Sequence, residues 1–300
     1  MAVVRQSSQR PTGSSVPVLG WFAKNNRGYL TVGYIILFLM GGWTAFPFYW
    51  QLATSVRSDA DLYTPVVSII PQVWTLDHYY QVFFGARSQF GVQFSNSLIV
   101  AISTTLVAIF LGTMAGYALT RLHFLGRATM ARILVYAYLA PGTILFIPLY
   151  VMANNFGLRD TLVGLVLAHL TFSVPFSTWM LMGYFKTLPV ELEEAALVDG
   201  ASRWLALWRI VLPLAAPAVV VCAVFAFTLS WNEFLYALVL VQAKDKMTAP
   251  IGLTSYVVGD QFYWGQMMAA ATIVSLPPLL LYLFGQRWVI QGWTAGAVKS

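Results

Sequence analysis

The 300-residue chain is 59% hydrophobic and only 9% charged, against roughly 25% charged residues in an ordinary soluble domain. Seventeen basic and eleven acidic side chains cannot cover a water-soluble globule of this length, so most of its surface must face lipid. The net charge of +6 is not gathered into a Lys/Arg surface of the kind nucleic acid requires, and the single Cys222 excludes both a disulfide framework and a Cys-rich metal site.

Residues 1–28, rich in Ser, Gln and Pro, read as a disordered basic leader. No short apolar run precedes a small-residue cleavage site there, so a cleavable signal is not expected. A membrane-crossing helix takes about 20 mostly apolar residues. Six charge-free intervals reach that length, and trimming their polar ends predicts helices near 30–50, 95–119, 133–152, 162–184, 210–240 and 266–286. Runs this long without alternating polarity favour helices over barrel strands, because a helix satisfies its own backbone hydrogen bonds in lipid. The expected fold is an all-α membrane protein, with six transmembrane helices in a domain over 29–290. Between the first two helices, Thr75–Phe83 is too polar to span and predicts a short amphipathic helix at the interface. On the second, Gly112 and Gly116 form a close-packing signal.

Lys and Arg are retained on the cytoplasmic side of a bacterial membrane. With the N-terminus inside, twelve of the seventeen bases fall in cytoplasmic segments. Both termini are therefore expected inside a multi-pass protein of the bacterial cytoplasmic (inner) membrane.

The cytoplasmic connection between the fourth and fifth helices, 186–209, differs from every other loop. Pro189 followed by Glu191, Glu193 and Glu194 suits a helix start, and Gly200 suits a left-handed stop. Two short helices with a turn at Asp199–Gly200 are predicted. On the first, Leu192, Ala195 and Ala196 share a stripe with Glu191 and Glu194 beside it. Paired alanines keep that surface low enough for another protein's groove to close on it, whereas an interfacial anchor would carry Lys and Arg.

Glu194-Ala195-Ala196, then Gly200, then Ile210, Leu212 and Pro213 match, at every signature position, the EAA spacing of permease subunits in binding-protein-dependent ABC importers. From about residue 30 to the end the chain resembles that family, and more narrowly the smaller permease subunit of maltose-type carbohydrate importers. Trp231-Asn232-Glu233-Phe234, Thr75-Leu76-Asp77-His78-Tyr79 and Gly292-Trp293-Thr294-Ala295-Gly296 add to the likeness, with Trp293 and Ser300 departing from the residues relatives often carry.

The resemblance implies that this coupling-helix (EAA) loop docks on a cytoplasmic ATPase, with Glu191, Glu194, Ala195, Ala196, Asp199, Gly200, Ile210, Leu212 and Pro213 as the docking element. It further implies that the tail 291–300, with Gly292, Gly296 and Lys299, reaches toward the ATPase dimer. The implied partners are a second permease subunit in a heterodimer, two ATPase copies, an extracytoplasmic solute-binding protein, and a carbohydrate or related polyol as cargo. ATP and Mg would be bound by the ATPase, with no cofactor on this chain, which would not be an enzyme by itself.

No phosphate-binding loop occurs, and His78, His123 and His169 lack metal-ligand spacing. Glu233 is the one carboxylate inside a predicted span, where it costs several kcal/mol unless it faces protein or water. Trp231, Asn232 and Glu233 are candidates for the translocation path, where Asn232 and Glu233 could bond a polyhydroxylated solute. An interhelical polar clamp, or a side chain already at the outer interface, explains Glu233 equally well. The loop Tyr256–Trp264 suits either contact with a solute-binding protein or interfacial anchoring. The rival class, an ion-coupled secondary transporter or channel, would be expected to carry more intramembrane charges.

Overall fold

The computed structural model describes residues 26–66, 68–85 and 88–297. The leader expected over 1–28 lies outside these residues as far as 25, and Lys299 lies outside them too. The chain divides into two compact units at Trp50 and Gln51. The first supplies most of helix α1 (Asn26–Ser55), apolar and exposed along nearly all of Leu30 to Phe48. Near its end Phe46 stacks on Trp50 at 6.0 Å.

The second unit opens with a clasp around a buried charge. Arg57, 3% exposed, donates to the Ser68 carbonyl at 2.8 Å and pairs with Asp61 at 3.4 Å. Asp61, on α2 (Asp59–Leu62), accepts the Gln72 N–H at 2.9 Å. A buried guanidinium is tolerable only with such partners, and satisfying it folds this segment back on itself. The expected amphipathic helix follows as α3 (Asp77–Phe84), which buries His78 and Val82, four residues apart on one face.

Next come α4 (Phe90–Arg121), α5 (Arg127–Leu139), α6 (Gly142–Asn155) and α7 (Leu162–Phe185). The α4–α7 pair is the centre of the unit. A side chain at Gly112 would meet the Ser177 Cβ at 2.7 Å, and one at Gly116 would meet Met182 at 3.2 Å. The glycine pair thus seats one backbone against the other, and the two helices run parallel. Parallel packing requires α5 and α6 together to return the chain to its starting end.

Beyond α7 lie α8 (Glu191–Val198), α9 (Arg203–Ala206), a π-helical turn (Leu207–Val211), α10 (Leu212–Leu214), α11 (Ala216–Trp231) and α12 (Leu235–Leu240). Asn96 on α4 donates to the carbonyls of Asp245 and Met247, both at 2.9 Å, and the Ser97 hydroxyl accepts the Ala249 N–H at 2.8 Å. These bonds hold the next loop, which leads through α13 (Ala249–Gly252) and a 3₁₀ turn (Leu253–Tyr256) to a hairpin. There β1 (Val257–Val258) pairs antiparallel with β2 (Gln261–Phe262), Val257 opposite Phe262, around Gly259 at φ +59°. The last helix is α14 (Trp264–Ala297).

Among the described residues four helices, α1, α4, α7 and α14, are long and apolar enough to cross a membrane unbroken, and two bent pairs bring the number to as many as six. The predicted third helix, 133–152, is α5 and α6 bent by 97°. Pro141 causes the break, because it drives Ala140 out of the helical region to φ −64°, ψ 132°. The predicted helix 210–240 is likewise not continuous. Pro213 and Pro217, one turn apart, each remove a backbone donor on either side of Ala215, and the chain bends there by 79°. It is interrupted again at Asn232–Phe234 before α12. At the other end, the tail expected over 291–300 is helical as far as Ala297, as part of α14.

Between α6 and α7, Asp160 adopts φ +55° and its carboxylate accepts the N–H groups of Gln242 and Ala243 just past α12. Those two donors hold the carboxyl below its ordinary value of 3.8.

Candidate functional site

The 186–209 loop contains the two short helices. Acidic residues fill the first turn of α8, where the helix dipole favours them. At the far end Gly200 takes φ +88°, its N–H bonds the Leu197 carbonyl at 3.1 Å, and the Ala201 N–H bonds the Ala196 carbonyl at 2.9 Å. This pair of bonds is a Schellman stop, which requires a left-handed residue where Gly200 stands. The Ser202 hydroxyl then caps α9 by accepting the Leu205 N–H at 3.2 Å.

The loop helix has two unlike sides. Glu191, Leu192, Glu194, Ala195, Val198, Asp199 and Gly200 are exposed, with Leu192 at 47% and Val198 at 87%. Ala196 and Leu197 are half-buried. The opposite side carries Glu193, only 3% exposed. The Tyr117 hydroxyl donates to its carboxylate, Arg121 pairs with it at 3.3 Å, and Arg203 of α9 approaches to 4.0 Å. Arg121 also donates to the carbonyl of Phe185, the last residue of α7, at 3.0 Å and to that of Leu188, just beyond the helix, at 2.8 Å. Of the remaining residues expected in the docking element, Ile210 and Leu212 are half-buried and Pro213 is exposed at the bend.

Sequence reasoning passed over Glu193 as one acid among three. Glu233, the one carboxylate inside a predicted span, is half-buried, whereas Glu193 and Asp61, both outside the predicted spans, are buried. Spacing along α8 is the signal that was available: Glu193 faces away from the exposed Leu192–Ala195 stripe.

Glu233 lies in the interruption between α11 and α12. Its two oxygens accept the N–H groups of Tyr236 at 2.9 Å and Ala237 at 3.2 Å, donors that the start of α12 would otherwise leave unpaired. One oxygen lies 3.4 Å from His169 Nε2 on α7, and His169 Nδ1 lies 2.8 Å from the Ser230 hydroxyl on α11. Irregular backbone survives inside a membrane protein only where such groups meet it. The Tyr236 hydroxyl donates to the Gly142 carbonyl at 2.8 Å, tying this interruption to the break at Pro141.

Trp231, grouped with Glu233 by sequence, is 1% exposed. It stacks on Phe227 at 5.5 Å and donates from its indole to the Val274 carbonyl at 3.0 Å. Of the three residues expected beside a path, Asn232 alone is exposed. Gly292 and Gly296 fall in the last turns of α14.

Residues 108–294, which include both the loop and the Glu233 interruption, match the family model for the binding-protein-dependent transport system inner membrane component. The chain belongs to this family. This permease is 35% identical to the inner membrane ABC transporter permease protein YcjP of Escherichia coli K12, over 93% of its own length and 100% of that relative. It is 33% identical to the trehalose transport system permease protein SugB of Mycobacterium tuberculosis, over 87% of its own length and 95% of that relative. In fold it is similar to a chain of a bacterial ABC transporter involved in the import of the acidic polysaccharide alginate, with a TM-score of 0.76 at 20% identity, covering 88% of this permease and 97% of that chain. The permease is accordingly a multi-pass inner-membrane subunit of an ABC importer, and the ion-coupled alternative falls away.

Proposed function

We propose that the permease carries an oligosaccharide or related polyol inward, as one half of a heterodimer with a second permease subunit. Cargo is delivered by an extracytoplasmic solute-binding protein. The energy comes from a pair of ATPase subunits, which bind the ATP and Mg, so this chain is not itself a catalyst. Both termini lie in the cytoplasm. A relative named for trehalose transport and a fold neighbour that imports alginate support the carbohydrate reading.

The observation that carries the assignment of the docking loop is the exposed face of α8. Leu192, Ala195 and Val198 present a shallow apolar strip bordered by Glu191, Glu194 and Asp199, on a helix held from behind by Glu193. A groove on an ATPase could close on that strip, Gly200 providing the turn and Glu194 a charged contact. Closure of the ATPase dimer on ATP would then move the loop as a rigid body and swing the membrane helices between inward-open and outward-open states. The tail with Gly292, Gly296 and Lys299 reaches toward the same dimer. In the fifth span Asn232 is placed to meet solute hydroxyls, and Glu233 holds the interruption that exposes it.

The test is ATP-driven uptake of labelled disaccharides by the complex in proteoliposomes, together with co-purification of the ATPase. Association and uptake that are both abolished by Glu194→Lys are expected. A complex that retains uptake with Glu194→Lys and Gly200→Asp, or a permease that binds no ATPase, overturns the assignment.

A further inference from the structure

We infer that Glu193 is the positioning residue that passes movement of the 186–209 loop into the membrane helices, and that Tyr117 and Arg121 are its receivers. The inference rests on the reading that this loop meets the ATPase.

A helix of eight residues is too short to hold its own orientation. What it is fastened to therefore decides how it moves. Among the acids of α8, Glu191 and Glu194 are exposed, while Glu193 is buried against α4. Its carboxylate accepts from the Tyr117 hydroxyl and pairs with Arg121, one turn further along α4, while Arg203 approaches from α9. One carboxylate thus fastens both short helices of the loop to the end of a single membrane helix.

The fastening does not stop at α4. Arg121 pairs with Glu193 and donates to the carbonyl of Phe185, the last residue of α7, and to that of Leu188 just beyond it. Further along, α4 and α7 are seated backbone against backbone at Gly112 and Ser177. A displacement of α8 therefore reaches the two helices as one body. Charge-assisted bonds in a dry setting are short and directional, and a buried carboxylate cannot give up its partners without being left uncompensated. The connection resists slipping under load better than apolar contact alone, which can slide.

The test uses the complete transporter in proteoliposomes, with sugar uptake and ATP hydrolysis measured together. Glu193→Gln removes the charge at nearly constant shape. The ratio of sugar carried to ATP hydrolysed is expected to fall about tenfold, in the range of ordinary coupling between sites, while the ATPase stays bound and keeps hydrolysing. Tyr117→Phe, which removes one hydroxyl, is expected to lower the ratio less, and Glu193→Asp to recover part of it. A Glu193→Gln complex with the wild-type ratio overturns the inference, as does release of the ATPase by both Glu193→Gln and Tyr117→Phe, which would make the cluster a folding element only. A wild-type complex without ATP-driven uptake would count instead against the proposed function.

Discussion

The hydroxyl of Tyr117 donates to the carboxylate of Glu193, 76 residues further along the chain, and joins the end of a membrane helix to a loop helix of two turns. The loop is otherwise stopped by a single backbone conformation. Gly200 stands at φ +88° with no heavy atom within 4 Å of where a Cβ would lie, so a side chain there is opposed by backbone strain and not by lack of room. Gly200→Ala is expected to cost about 1–2 kcal/mol of local stability, and Gly200→Asn less, because Asn tolerates the left-handed region. Co-purification of the ATPase with each variant checks this, and equal retention by Ala and Asn would count against it.

Helix seating has an order that the glycines dictate. At Gly112 an added methyl would meet the Ser177 Cβ at 2.7 Å and backbone atoms at 3.1 Å, at Gly116 the nearest atom is at 3.2 Å, and at Gly183 nothing lies within 4 Å. Gly112→Ala is expected to destabilise by about 1–3 kcal/mol, as overpacking does, and Gly116→Ala by less. Gly183→Ala should be neutral or mildly stabilising, since Ala is the better helix former. Thermal unfolding of the detergent-extracted protein gives the ranking directly.

Glu233 caps α12 from inside a span. Glu233→Ala leaves the N–H groups of Tyr236 and Ala237 without acceptors, at an expected cost of about 1–3 kcal/mol for a buried group left unsatisfied. Glu233→Gln retains one accepting oxygen and should fall between Ala and wild type. If uptake is lost in Glu233→Gln while its unfolding temperature is unchanged, the carboxylate serves the solute and not the helix.

Asp160 supplies a pH dependence. Its carboxyl is held below 3.8 by the Gln242 and Ala243 N–H groups. A carboxyl depressed on folding stabilises the fold at pH values above its unfolded value, and that contribution is lost as pH falls through the lower folded value. The Asp160–Ala243 connection should therefore be fully formed near neutral pH and loosen only below about pH 4. Intrinsic-rate-corrected amide exchange at Gln242 and Ala243 should accelerate over that acid range in the wild type, and Asp160→Asn should remove the dependence.

Much of this molecule is legible in its sequence because lipid makes simple demands. Charge-free stretches mark α1, α4, α7 and α14, and the Gly112–Gly116 spacing marks the close seating of α4. The breaks were visible as Pro141, Pro213 and Pro217, yet hydropathy averages over a window and does not register a missing N–H. Periodicity found the exposed strip of α8. It could not find the purpose of Glu193, because the partners that explain that residue, Tyr117 and Arg121, lie on another helix. The partner that Trp231 donates to was out of reach for a similar reason: Val274 belongs to α14, and only the fold brings the two together.

The parallel seating of α4 against α7 has a geometric result. At about 1.5 Å of rise per residue, the 32 residues of α4 make a rod about 48 Å long. Gripped at Arg121 and stiffened by its neighbour, such a rod amplifies motion: a tilt of about 10° at the gripped end carries the Phe90 end sideways by about 8 Å. A small rotation of a two-turn helix on one side of the membrane becomes, on the other, a displacement as wide as a sugar ring.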